Sequence, residues 1–205
     1  MIEGRGEAVA VADARLRLHL AEHARGRVFI HAGVVGFRGR AIVVPGRSFT
    51  GKSTLIAALL RAGARYLSDE YAVLDDRGRV HPYPRPLSLR APGKRRGVRR
   101  EAAALGAKVG RRALPVGLIV VTRYAAGAPR FTPAALSAGQ AALALLDNAI
   151  AARSAPERVW PALRAAVASA RAVRGDRGEA DEAAGAILAL AGPPARPRRA
   201  RHPRP

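Results

Sequence analysis

Eight consecutive residues constrain this chain more than any other part of its sequence, because they match the phosphate-binding pattern G-x-x-x-x-G-K-[ST] in full. They read Gly46-Arg47-Ser48-Phe49-Thr50-Gly51-Lys52-Ser53 and are called the 46–53 loop below. An apolar run, Ala41–Val44, precedes the loop, and a helix is predicted to follow over Ser53–Ala64. A strand, a glycine-containing loop and a helix in this order are the context that the pattern requires. The alternative is a chance match in a glycine-rich chain, which this context disfavours.

Each part of the 46–53 loop has a physical role in binding the phosphates of a nucleotide. Gly46 and Gly51 let the backbone curl, so that successive N–H groups point at phosphate oxygens. The helix that begins near Lys52 directs its positive end toward the same anion. Lys52 is predicted to meet the β- and γ-phosphates, and the Ser53 hydroxyl to ligate magnesium. The pattern therefore predicts ATP and Mg as cofactors, bound by residues 46–54 with Thr54 included.

Apolar patterning along the chain predicts an α/β fold. A strand is expected to end at His31, and two apolar runs around Arg38-Gly39-Arg40 predict a hairpin within a first part, residues 1–45, made of strands and turns. Further strands are predicted over Ala64–Leu67, Tyr71–Leu74, Arg79–Tyr83 and Val116–Thr122, and further helices over Ser137–Ala152, Glu157–Ala172 and Glu179–Ala191. We expect one domain over residues 1–192, with a mixed sheet and a helical C-terminal portion. Residues 193–205 are rich in Arg and Pro, and we expect them to be a disordered basic tail.

Transfer of a phosphoryl group also needs a carboxylate near the metal and a group that accepts a proton. Asp69 and Glu70 follow the strand after the loop helix, and a strand beside the loop strand would bring them to the phosphates. Adjacent residues of an extended chain point to opposite sides, so one carboxylate is expected to face the metal and the other to face elsewhere. His31 ends the strand ahead of the loop. The alternatives are a solvated acidic turn and a structural histidine.

This order of motifs resembles the catalytic core of the HPr kinase/phosphorylase family. His31-Ala32-Gly33, a hairpin, the 46–53 loop, a helix and Ser68-Asp69-Glu70 follow one another as they do in that family. The resemblance covers about residues 27 to 90, and it implies a P-loop fold similar to phosphoenolpyruvate carboxykinase. It also implies transfer of phosphate from ATP to a serine hydroxyl of a small carrier protein.

The resemblance also implies roles for individual residues. Asp69 would accept the serine proton, His31 would support it, and Lys52 would act on the transferred phosphate. Glu70 and Ser53 would lie at the metal. This chain departs from the family in having Glu at position 70, in lacking the separate N-terminal domain, and in lacking the glycine-rich signature after the core. Because of these departures, the resemblance does not extend to HPr, the carrier protein of the family, as the substrate. It does not extend to the reverse phosphorylase reaction either.

The net charge of +21 is the strongest feature of the composition. Residues 90–112 hold nine Lys or Arg against one acid, Glu101, and the tail holds five Arg and no acid. Such an excess attracts phosphates, nucleic acid or acidic partners. However, only three of the 36 basic residues are Lys, a bias typical of a GC-rich coding sequence. We therefore predict that nucleic acid is not the main partner, and that the 90–112 segment is mobile and helps to dock the acceptor.

The absence of cysteine and of long apolar runs excludes several kinds of site and of protein. Cysteine is absent, which excludes disulfides and thiolate metal sites. No apolar run approaches the roughly 20 residues of a membrane span, so we expect a cytoplasmic protein without a membrane partner.

Arg123 and Arg90 are interpreted as surface arginines, Trp160 as a core residue, and Asn148 as a functional polar group or a helix-cap partner.

The sequence thus predicts an ATP- and Mg-dependent kinase that phosphorylates a hydroxyl of a protein, peptide or small molecule. The alternative is a nucleotide-binding regulatory or accessory module without transfer chemistry, which could associate with nucleic acid through its basic surface. The acceptor, the direction of the reaction and the formation of a homo-oligomer stay open.

Overall fold

A computed structural model describes residues 2–47, 50–89, 97–128 and 130–192 of the chain. Ser48 and Phe49 of the 46–53 loop, Arg90 with the first part of the basic segment, and the tail over 193–205 lie outside the described residues. The helices are α1 (Ile2–His23), α2 (Lys52–Arg61), α3 (Ala138–Leu146), α4 (Pro156–Val167) and α5 (Ala180–Leu190). The strands are β1 (Val28–Phe37), β2 (Arg40–Pro45), β3 (Arg65–Ser68), β4 (Tyr71–Leu74), β5 (Arg79–His81), β6 (Leu87–Leu89), β7 (Val98–Arg100), β8 (Leu114–Tyr124), β9 (Ala134–Ala135) and β10 (Arg171–Arg177).

Eight of these strands form one mixed, mostly antiparallel sheet, as the predicted mixed α/β class requires. Strand β1 pairs antiparallel with β2, β3 and β4, while β8 runs parallel to both β2 and β10. Strand β4 pairs with β5, and β5 pairs with β8, which itself pairs with β2. The strands β2, β1, β4, β5 and β8 therefore form a closed series of pairings. The two long strands β1 and β8 therefore form the frame on which the shorter strands are assembled. A separate two-stranded sheet consists of β6 and β7.

Helices cover both faces of the large sheet, because its strands alternate buried side chains toward two apolar clusters. Val34 and Val43 pack on one face with residues of α3 and α4. Val35 and Ile42, their neighbours in sequence, pack on the other face with residues of α2 and α5. This period-two alternation is what two covered faces demand of β1 and β2.

The first helix corrects the prediction that residues 1–45 consist of strands and turns. Val9, Val11, Leu16, Leu18 and Leu20 alternate with small or polar residues, a period-two pattern typical of a strand, yet they lie in α1 and are all exposed. The many Ala, Leu, Arg and Glu residues of this segment favour helix locally. Local propensity and contacts made by the polar side chains therefore override the apolar alternation here.

Two further predictions are corrected by the sheet. Strand β1 continues through His31 to Phe37 instead of ending at the histidine. Strand β3, which leads to Asp69 and Glu70, pairs with β1 and not with β2, the strand before the loop. The C-terminal portion contains β10, inside the large sheet, in addition to its helices. The hairpin of β1 with β2 and the pairing of β4 with β5 are confirmed. Among the described helices, none is long and apolar enough to cross a membrane.

Candidate functional site

A cavity of about 420 Å³ opens at the start of α2 and gathers most of the predicted site residues. It is lined by His31, Lys52, Ser53, Thr54, Asp69 and Glu70. Three arginines that the sequence reasoning did not select, Arg17, Arg85 and Arg99, also line it. Residues separated by up to 82 positions, from Arg17 to Arg99, are thus brought to one cavity, which is what a shared chemical role would require.

The described part of the 46–53 loop ends in a backbone conformation that favours glycine. Gly51 has φ of +80° and caps the N-terminus of α2, whose first residue is Lys52. The Lys52 ammonium donates a hydrogen bond to the carbonyl of Arg47, and the Thr50 hydroxyl donates to the same oxygen at 2.9 Å. Burial lowers the pKa of Lys52, and the negative charge of Asp69 opposes that shift. The loop therefore holds a partly buried ammonium at the positive end of a helix.

Strand β1 places the loop, the histidine and the acidic pair around one point. The N–H of Gly46 donates to the carbonyl of His31 at 3.1 Å, and the N–H of Ala32 donates to the carbonyl of Glu70 at 3.2 Å. Next along the strand, Gly33 allows α2 to approach closely, because a Cβ there would lie 2.5 Å from Cγ1 of Ile56. The small residues around His31 thus set the distance between the helix that carries Lys52 and the bend that carries Asp69.

Asp69 has the most perturbed carboxylate of the cavity. Its Oδ1 atom is buried and has no hydrogen-bond partner among the described residues. Burial raises the pKa of Asp69 to about 6, although the Ser53 hydroxyl and the Lys52 charge both oppose the rise. A buried carboxylate whose pKa approaches neutrality is suited to accept a proton, and its free oxygen is available to a proton or a cation.

Glu70 lies in the same bend and lines the same cavity, so the expectation that the two carboxylates face opposite ways is wrong. The bend between β3 and β4 replaces the extended geometry on which that expectation depended. The Glu70 carboxylate accepts a hydrogen bond from Nε of Arg17 at 3.1 Å and lies 3.8 Å from Nε of Arg85. Asp13 of α1 pairs with the same two arginines. This four-residue cluster attaches α1 to the edge of the cavity.

His31 lies between cationic and aromatic neighbours. Burial lowers the pKa of His31, the charge of Lys52 lowers it further, and Glu70 acts in the opposite direction. The ring is tilted against Tyr71 with 5.1 Å between the ring centroids. These surroundings favour a neutral imidazole at neutral pH, which is able to accept or donate one hydrogen bond in the cavity.

Arg177, at the end of β10, is a residue of this region that sequence reasoning missed. Its side chain is buried, and its Nη2 donates to the carbonyl of Gly51 at 2.9 Å. The residues stand 126 positions apart, and no local motif surrounds the arginine. The sequence over Val173–Gly178 predicts a charged turn or a short strand, and a charged residue near the end of that segment is the only signal for this arginine.

The other residues weighed in the sequence have ordinary surroundings. Arg123 is exposed and pairs with Asp176 at 2.9 Å, which confirms a surface arginine. Asn148 donates its side-chain N–H to the carbonyl of Ala144 at 2.9 Å, as a helix-end partner does. Trp160 is 48% exposed, so the prediction of a core residue is wrong; its helix buries Leu163 and Val159 instead.

The oxygen donors at this cavity fit magnesium. The Ser53 hydroxyl, the Glu70 carboxylate and the unpartnered Oδ1 of Asp69 are hard ligands of the type that this cation prefers, and magnesium usually completes its shell with water and substrate phosphates. Within the described residues, no three His, Cys, Asp or Glu side chains converge to hold a metal ion by themselves. A cation here would therefore be shared with a bound phosphate.

Comparison with known proteins adds no family to this description. No protein-family model matches the chain, and a search of curated proteins finds no match.

Proposed function

We propose that this protein is an ATP- and Mg-dependent kinase that transfers the γ-phosphate to a hydroxyl group of a protein, peptide or small molecule. The observation that carries the proposal is the position of Asp69. A buried carboxylate with a free oxygen and a pKa of about 6 lines the same cavity as Lys52 and Ser53, the residues selected by the phosphate-loop pattern. The motif order shared with the HPr kinase/phosphorylase family supports the same reaction.

The proposed chemistry divides the cavity into two sets of groups. The N–H groups of the 46–53 loop and the Lys52 ammonium hold the phosphates, while Ser53 and Glu70 would hold magnesium, which neutralises phosphate charge when bound. Asp69 takes the proton of the acceptor hydroxyl, while the oxygen of that hydroxyl forms a bond to the γ-phosphorus. The bond from the γ-phosphorus to the bridging oxygen breaks, and ADP leaves. Neutral His31 stays within the cavity to support the acceptor or the transferred group.

Replacement of Asp69 by Asn tests this division. The amide keeps the shape but cannot accept a proton, so we expect ATP turnover or transfer to fall about 10²- to 10⁴-fold. Nucleotide affinity should stay within a few-fold of wild type, because Lys52 and the loop are unchanged. Asp76→Asn, in an exposed turn, is the matched control and should leave both quantities unaltered.

The measurements are calorimetric binding of ATP with Mg, hydrolysis, and phosphate transfer to hydroxyl-bearing peptides and amino acids. Full activity in Asp69→Asn would remove the proposed base. A wild-type protein that binds ATP tightly and turns over none of it would favour the accessory-module alternative instead.

A further inference from the structure

Arg177 is a buried cation that makes no ion pair with the described residues. Its relative exposure is 2%, and among the described residues no carboxylate lies within 4.0 Å of it. Nη1 and Nη2 donate to the carbonyls of Gly178 and Gly51, at 3.1 and 2.9 Å, while Nε has no partner. Burying a charge without an opposite charge is costly, so the fold keeps this side chain at the expense of stability.

The arginine acts on Gly51, the residue that caps the N-terminus of α2. The Gly51 carbonyl accepts the Arg177 bond and also the first hydrogen bond of the helix, from the N–H of Leu55 at 3.2 Å. A Cβ atom on Gly51 would lie only 2.6 Å from Nη2 of Arg177, so the glycine and the guanidinium are in direct contact. Because that carbonyl is held from outside the loop, the peptide plane of Gly51 and Lys52 is fixed in orientation.

The surroundings of the guanidinium hold it in place without neutralising it. Its central carbon lies 5.6 Å from the centre of the Tyr124 ring, whose hydroxyl donates to Glu179 at 3.1 Å. Burial lowers the pKa of Arg177, whereas the negative charge of Glu179 acts in the opposite direction. The side chain nevertheless stays cationic, since an arginine pKa is far above neutrality. Its charge therefore adds to the positive potential at the start of α2, where the low dielectric screens it poorly.

We propose that Arg177 is a positioning residue of the nucleotide site, which fixes Gly51 and supplies a buried positive charge that a bound polyphosphate offsets. The inference rests on the proposed function, because it needs a nucleotide at the 46–53 loop. It extends that function to the far edge of the sheet: β10 and α5 would contribute to nucleotide binding without touching the ligand.

Two replacements separate the charge from the geometry. Arg177→Met keeps an unbranched apolar stem and removes both the charge and the hydrogen bonds, whereas Arg177→Lys retains the charge and one donor. Arg174→Met, an exposed arginine on the same strand, is the matched control. The measurements are calorimetric dissociation constants for ATP, ADP and AMP, each with Mg, together with the thermal unfolding of every variant.

We expect Arg177→Met to weaken ATP binding at least tenfold, ADP binding less, and AMP binding least, because the lost attraction grows with phosphate charge. Arg177→Lys should recover part of the ATP affinity, and Arg174→Met should stay within twofold of wild type. A purely structural arginine would lower the unfolding temperature and leave the ratios of the ATP, ADP and AMP affinities as they are in the wild-type protein, and that result would overturn the proposal.

If Arg177→Met does not fold, Arg177→Lys and the Nε–H signal of Arg177 in the wild-type protein decide the question. The signal, assigned by its loss in Arg177→Lys, should shift when ATP with Mg is added. An unmoved signal, together with wild-type affinity in Arg177→Lys, would overturn the proposal. Failure of the wild-type protein to bind ATP would overturn the proposed function itself, which distinguishes the two failures.

Discussion

At the scale of single residues, Asp69 links the proposed chemistry to folding stability. Its pKa is 3.8 in an ordinary setting and about 6 in the fold, so the folded protein binds more protons than the unfolded chain between those pH values. The free energy of unfolding should therefore fall as the pH rises from about 4 to about 6 and lose no more from this residue above that range. The ionisation that lowers stability is the one that a general base needs.

Asp69→Asn should accordingly make the protein more stable at pH 8. The expected gain is about 1 to 3 kcal/mol, since one pKa unit corresponds to about 1.4 kcal/mol and relaxation reduces the effect. Near pH 4 the gain should shrink, because Asp69 is then protonated in the folded protein. Urea unfolding of both proteins at the two pH values measures the difference. An equal difference at both values would mean that burial does not raise the pKa of this carboxylate.

Lys52 is the residue on which the proposed nucleotide binding depends most directly. Lys52→Ala should weaken ATP binding about 10- to 100-fold, because a charge-assisted hydrogen bond to phosphate contributes about 1.5 to 3 kcal/mol. Lys108→Ala removes an exposed lysine and should change nothing. Calorimetry with ATP and Mg checks both variants. Unchanged affinity in Lys52→Ala would contradict the assignment of the 46–53 loop.

At the scale of elements, the contact of α2 with β1 sets the geometry of the cavity. Gly33 lies against Ile56 of α2, and an added Cβ would come within 2.5 Å of its Cγ1 atom and 2.7 Å of its Cδ1 atom. The chain conformation at Gly33 is an ordinary strand, so space and not backbone strain explains this glycine. If the glycine were replaced, the Ile56 side chain or the helix that carries it and Lys52 would have to move away from the strand that carries His31.

Gly33→Ala should therefore destabilise the protein by about 1 to 3 kcal/mol and also weaken ATP turnover. Adding Ile56→Ala removes the clashing atoms, and the double variant should be more stable than the sum of the two single effects predicts. Gly185→Ala, on α5 with open space around it, should be neutral or slightly stabilising. Urea unfolding of the four variants tests the contact, and additive effects of Gly33→Ala and Ile56→Ala would argue against it.

At the scale of the whole molecule, the net charge of +21 is a property of the surface more than of the cavity. Binding of random duplex DNA should be electrostatic, weakening at least tenfold between 50 and 200 mM salt, because each neutralised phosphate releases a counterion. Saturating ATP with Mg should not displace the DNA. Fluorescence anisotropy with a short labelled duplex measures both effects. Tight binding at the higher salt, or competition with ATP, would favour the nucleic-acid alternative.

Helices and strands were predictable from the sequence where the local residue pattern agreed with the tertiary contacts of the folded protein. The buried strand around Val120 and the capping residue Ser137 ahead of α3 carry their signals within a few residues. Helix α1 was mispredicted, because its Val and Leu residues alternate as they would in a strand while its stability draws on distant groups. Arg158 of α4, for example, donates to the carbonyls of Glu22 and Ala24 at the end of that helix.

The sequence by itself determined the 46–53 loop, since eight adjacent residues contain the whole pattern, and it selected His31, Asp69 and Glu70 through their order along the chain. Only the tertiary structure decided which distant groups complete the site. Arg17 reaches Glu70 across 53 positions and Arg177 reaches Gly51 across 126, and no local periodicity encodes either contact. The physical reason is that burial and pairing depend on which strands lie side by side. The pairing of β1 with β3, and of β8 with β10, set these neighbours.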